Sequence, residues 1–266
     1  MSETRTFFVE SKERFESAVV DAVEISGSRL GIVHTGRQNR ALFVFSKLIS
    51  HCMATLLIVR KYDPENDGEQ YLDHASIGVL GRSIIDATLM TLYISEMSLK
   101  RDEWDLRRQI LYLHDLTTRK QFLKNLMNVD DGEPPQILKE YPRIKNEIVS
   151  KIKSLAEKQG FNKEQTQALL KGLVFINGVR GAAREAGINV DLFSFHQSYL
   201  SNWVHSHPVS FIRADHHGIS FDKASEYQVH FAALVLDFCA GYVELANNRM
   251  NEFTGKFSFD PIGQLT

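Results

Sequence analysis

Cysteine is almost missing from this chain of 266 residues, with Cys52 and Cys239 the only two. Both sit inside apolar helical patterns, which excludes a disulfide framework and fits a reducing compartment, with each thiol a small buried hydrophobe. Neither sign of charge is in excess: 31 Lys and Arg face 33 Asp and Glu, for a net charge of −2. Non-specific nucleic-acid binding relies on a basic surface that displaces counterions from phosphates, and the whole-chain charge gives that no support. The amino end, MSETRTFFVESKERFESAVV, lacks the apolar core of a secretory signal. A cytoplasmic location is the expectation.

Long unbroken apolar runs are absent too. Ala41–Val59 is interrupted by Lys47 and His51, and Ala75–Ser95 carries Arg82 and Asp86 at its centre. Membrane-spanning helices of about 20 residues rarely tolerate such charges, so both segments are expected as buried core helices, with no membrane contact. The chain also has no Walker loop, dinucleotide fingerprint, Cys-x-x-Cys or nucleophile elbow. No cofactor is predicted.

Apolar residues instead recur at helical spacing almost throughout, with no convincing strand alternation. Eight helices are predicted, at about 7–28, 37–62, 70–98, 101–128, 141–159, 163–180, 191–206 and 222–250. The breaks between them are turn-forming: Asp63-Pro-Glu-Asn-Asp-Gly68, Asp130-Asp-Gly-Glu-Pro-Pro135 and Gly187-Ile-Asn-Val-Asp191, the last offering Asp191 as an N-cap. With no repeat and no interdomain linker, the prediction is one all-α, bundle-like domain over 1–266. Helices at 7–62 precede a core at 70–250 that carries the polar site.

Polar residues inside apolar helices mark that site. Between His74 and Ser95 the only charged side chains are Arg82 and Asp86, four apart, in a helix apolar all round. They are expected to be buried or to line a cleft. In the last helix His230 and Asp237 share a stripe and suit internal polar support. Arg108, Tyr112, Asp115 and Arg119 form a third stripe, in which Asp115 and Arg119 are spaced as a surface pair.

The stretch Ser201-Asn-Trp-Val-His-Ser-His-Pro208 ends a helix, since Pro208 disfavours helical geometry at His207. His205 then lies in the last turn, near Tyr199 and Ser201, where the helix dipole favours an imidazolium.

Tests for metal sites fail on spacing. Asp63-x-Glu65-x-Asp67-Gly68 has the opening of a calcium loop, but His74 occupies the position that needs a bidentate Glu. His205, His207, Asp215, His216 and His217 are transition-metal ligand types in no recurrent arrangement, and no Glu-x-x-His occurs. No metal site is predicted, with a transition metal on these histidines as the alternative.

The combination of Arg82-Ser-Ile-Ile-Asp86, Tyr112 and Tyr199-x-Ser201-x-x-x-His205-x-x-Pro208 resembles a family of uncharacterised, mostly bacterial all-helical proteins. Such proteins carry an Arg-Ser-x-x-Glu/Asp helix and a Ser-x-x-x-His-Pro-like helix end. An additional Ser-His before Pro208 leaves either His205 or His207 in the family histidine's place. Arg107 or Arg108 with His114 also resembles the Arg-x(4-6)-His signature of HEPN-type helical ribonucleases.

Two functions fit. The first is an intracellular enzyme, of hydrolase type, acting on a phosphate-containing or RNA substrate. Its catalytic set would be His205, Arg82, Asp86 and Tyr199, with Ser201, Tyr112, His207, Arg108 and Asp115 binding substrate. The second is a non-catalytic module that binds a ligand, such as a small anion, or a protein, in bacterial stress or phage defence. Homo-oligomers suit either.

Overall fold

The computed structural model describes residues 2–65, 70–128, 135–255 and 260–263. Among them the chain forms nine α-helices and no strand, so the all-α expectation is met. These are α1 (Glu3–Gly27), α2 (Gly36–Val59), α3 (His74–Ile94), α4 (Arg101–Met127), α5 (Gln136–Lys158), α6 (Lys163–Leu169), α7 (Gly178–Glu185), α8 (Val190–Val204) and α9 (Glu226–Thr254). The predicted helix at 163–180 is two, because Gly172 between them and Gly178 at the start of α7 adopt positive φ of 78° and 67°. The cap of α8 is Asn189, whose side chain accepts from the N–H groups of Asp191 and Leu192, and Asp191 itself lies in the first turn. Asp67 and Gly68 of the calcium-like turn lie outside the described residues, as does most of the turn before Pro135.

The chain divides into two compact units, Met1–Met97 with Ala186–Thr266, and Ser98–Glu185. In the first, α9 packs along α1, α3 and α2, while α3 also packs on α2 and α8. Glycine permits the closest of these approaches. A Cβ on Gly81 would stand 2.5 Å from Val235 Cγ1, and one on Gly78 would meet Phe231 and Trp203 at 3.0 and 3.1 Å. The N-terminus of α9 is fixed by a capping box of Ser225 and Gln228.

By length and composition α2, α3 and α9 could each cross a membrane. Packing buries 67% of the apolar window of α3 and 61% of that of α9, but only 33% in α2. Ala41, Phe45, Leu48, Cys52, Leu56 and Val59 make one buried stripe on α2, while Phe43, Met53 and Leu57 remain exposed. The expected core helix is therefore buried on one face only, because its neighbours α1, α3 and α9 cover that side.

The second unit has its own core. Leu106, Ile110, Leu113 and Leu116 of α4 pack with Tyr141, Ile148, Ile152 and Ala156 of α5 and with Leu169 of α6. The spacings of three and four along α4 and α5 produce the two facing stripes.

Candidate functional site

Arg82 and Asp86 pair along α3 as the spacing predicts, but the pair is not enclosed. The Arg82 side chain is 17% exposed and that of Asp86 52%. The reason is angular: Ile77, Gly81, Ile84, Ile85, Thr88 and Leu89 take the buried arc, Asp86 falls opposite it with the exposed Ala75 and Val79, and Arg82 lies between the two faces. Arg82 Nη1 is buried and meets the Asp86 carboxylate without hydrogen-bond geometry.

The histidine stretch ends α8 by a defined mechanism. Ser206 takes the left-handed conformation, with φ of 50°, and two bonds close behind it: His207 N–H to Asn202 O at 2.9 Å and Ser206 N–H to Trp203 O at 3.4 Å. This is a Schellman closure, with a non-glycine residue where glycine is usual. His205, the C-cap residue, donates its N–H to Ser201 O, and its ring stands 5.4 Å from that of His207. Both side chains are exposed. Pro208 then opens a single 3-10 turn to Ser210.

The other predicted residues fall into separate local groups. Tyr199 stacks on Phe195 and hydrogen-bonds Tyr227; burial, ahead of that bond, raises its phenol above the ordinary range. His230 is exposed beside Phe7, with ring centres 6.0 Å apart. Asp237 binds Arg14 of α1 at 2.7 Å, and Glu244 holds the same guanidinium through two further bonds at 2.8 and 2.9 Å. In the second unit Arg108 pairs with Asp105, Asp115 with Arg119 at 3.6 Å, Arg107 with Glu185, and Tyr112 is partly exposed. Among the described residues no hydrogen bond or ion pair joins Arg82 or Asp86 to Tyr199, His205 or His207. No group of three or more His, Cys, Asp and Glu is placed to hold a metal among them either.

A cleft forms where the sequence raised only Asp237, as internal polar support. Ile188, Leu192 and His196 on the α8 side and Asp237, Phe238, Gly241, Tyr242 and Leu245 on α9 enclose about 240 Å³. His196 is buried, stacks on Phe238 at 3.9 Å between ring centres, and sets Nδ1 3.2 Å from the Tyr242 hydroxyl. Desolvation lowers the His196 pKa against the opposing pull of Asp237, so the ring is held neutral near pH 7. Burial likewise raises the Tyr242 phenol. A mostly apolar recess with a neutral imidazole, a phenol and one carboxylate can take a flat apolar molecule by stacking and direct its polar edge. His196 and Asp237 are 41 positions apart, a relation no local pattern encodes.

Two further polar networks are structural in geometry. Arg37 and Asp260 form a fully buried pair at 3.2 Å, in which Arg37 also donates to the carbonyls of Ile94 and Glu96, and Thr35 donates to Asp260 at 2.8 Å. Gln228, also buried, donates to Ser220 O and accepts the Ser225 N–H, with its amide 3.2 Å from His74 Nδ1.

No family model, curated protein or solved structure matches the chain. The geometry alone carries the functional reading.

Proposed function

We propose that the chain is a ligand-binding module whose α8–α9 cleft takes a small, flat, largely apolar molecule with one hydrogen-bonding group. The observation that carries this is the His196 arrangement: a neutral ring stacked on Phe238, tied to Tyr242, and facing a recess walled by Leu192, Ile188 and Leu245. The apolar walls supply transfer energy of about 25 cal/mol per Å² buried. His196 and Asp237 supply orientation.

The module reading is favoured over the enzyme reading by the placement of His205 and His207. Both lie on a solvent-exposed helix end, their rings stacked on each other, and among the described residues neither ring has a hydrogen bond or ion pair to an acid or a cation. A general acid/base acts through a held partner and a site that excludes water.

Calorimetric titration with indole and with phenol tests the proposal. Saturable binding at a stoichiometry of one, lost in Leu192→Trp, which fills the cleft from its exposed rim, is the expected outcome. Absence of saturable binding to either probe, or unchanged binding by Leu192→Trp, would overturn it.

A further inference from the structure

The net charge of −2 is the sum of two opposed parts. Ser98–Glu185 carries 17 Lys and Arg against 12 Asp and Glu, while the first unit carries 14 against 21. The excess in the second unit is also available. Its arginines are largely engaged, with Arg107 on Glu185, Arg108 on Asp105, Arg119 on Asp115 and Arg143 between Glu140 and Glu147. Lys100, Arg101, Lys151 and Lys158 are exposed and have no ion pair among the described residues.

Three of these four converge. The start of α4 and the end of α5 enclose an open recess of about 600 Å³, lined by Lys100, Arg101, Lys158, Gln159 and Phe161, with Asp102 and Glu103. The Glu103 carboxylate accepts the Lys100 backbone N–H at 2.7 Å and Gln159 donates to the Asp102 backbone carbonyl at 2.9 Å, so the recess sets three cations against two carboxylates. Lys151 lies seven residues before Lys158 on the same exposed side of α5, about 10 Å along the axis.

We propose that this end of the second unit binds single-stranded nucleic acid. Lys100, Arg101, Lys151 and Lys158 pair with consecutive phosphates, and Phe161 offers a ring edge to a base. Free cations spaced over more than one phosphate repeat, beside a nucleotide-sized recess holding an aromatic side chain, are what a flexible phosphodiester strand requires. A folded acidic protein would instead need apolar contact area, which this polar recess does not supply.

Fluorescence anisotropy of the full chain with labelled 20-nucleotide RNA and DNA, between 50 and 300 mM salt, is the test. The proposal expects saturable binding that weakens with salt. In Lys100→Gln/Arg101→Gln/Lys158→Gln, affinity falls about tenfold or more, and the slope of log K against log salt becomes shallower by about 2, as expected for three lost phosphate contacts at about 0.7 each. Lys47→Gln, on α2, leaves both unchanged. Photo-crosslinking of 4-thiouridine RNA to the wild-type chain locates the contact without any substitution, and should label peptides between Ser98 and Phe161. Binding of either strand supports the proposal, and preference for RNA would report its 2′-hydroxyl. No binding at 50 mM salt, crosslinks confined to the first unit, equal competition by polyglutamate at matched charge, or transfer of the protein to anionic phosphatidylglycerol vesicles in preference to RNA would each overturn it.

Discussion

Removing Asp260 and removing Asp86 should have very different costs, although each leaves an arginine without its carboxylate. Asp260 and Arg37 have side chains 0% and 2% exposed, and Asp260 also accepts from Thr35. Asp260→Ala therefore takes the carboxylate from a buried guanidinium, which still donates to the carbonyls of Ile94 and Glu96, and leaves the Thr35 hydroxyl without its acceptor. Breaking a buried pair from one side costs about 3–5 kcal/mol. Asp86, half exposed and paired within one helix, contributes only about 0.3–0.5 kcal/mol. Urea unfolding is the assay, followed by tryptophan fluorescence. Trp104 lies in the second unit and Trp203 in the first, so a Trp104→Phe background reports the first unit alone. A loss below about 1 kcal/mol for Asp260→Ala, or equal losses for the two variants, would refute the assignment of the buried network as the anchor of this unit.

Other consequences are as direct. His196 and His74 are both lowered by desolvation, so the unfolded chain protonates them first as pH falls. Stability should be full above about pH 6.5 and decline as pH drops below it; His196→Phe should flatten that decline, and an unchanged pH profile of the urea midpoint would contradict the shift. Gly81→Ala pushes a methyl against Val235 and should cost about 1–3 kcal/mol in the same urea assay, whereas a neutral result would show that α3 and α9 shift freely. Ser206→Gly removes the steric cost of φ at 50° and should raise stability by up to about 1 kcal/mol; a loss would contradict the left-handed closure of α8. Burial pushes the Cys52 thiol up to about 12, and Cys239 is fully buried, so iodoacetamide at pH 8 should label neither until denaturant is added.

Helical periodicity made the fold class readable, because nearly every element exposes one face and buries another. It also located Arg82 and Asp86 as partners, since a four-residue spacing is a local relation. Periodicity could not say which arc of an all-apolar helix its neighbours cover, so the exposure of Asp86 and of the Phe43–Leu57 face of α2 came only with packing. His196 with Tyr242, and Arg37 with Asp260, meet across 46 and 223 positions. Such pairs depend on how helices dock. The separation of charge has the same origin: no linker composition marks Ser98 or Glu185, and without that boundary a basic unit and an acidic one sum to near zero.

Amide NMR of the chain titrated with indole tests the central claim most directly, because it reports position as well as affinity. Saturable shifts at Ile188, Leu192, His196, Phe238 and Gly241, absent from Leu192→Trp, are the predicted result. Shifts that never saturate, or that persist in Leu192→Trp, would contradict a ligand site between α8 and α9.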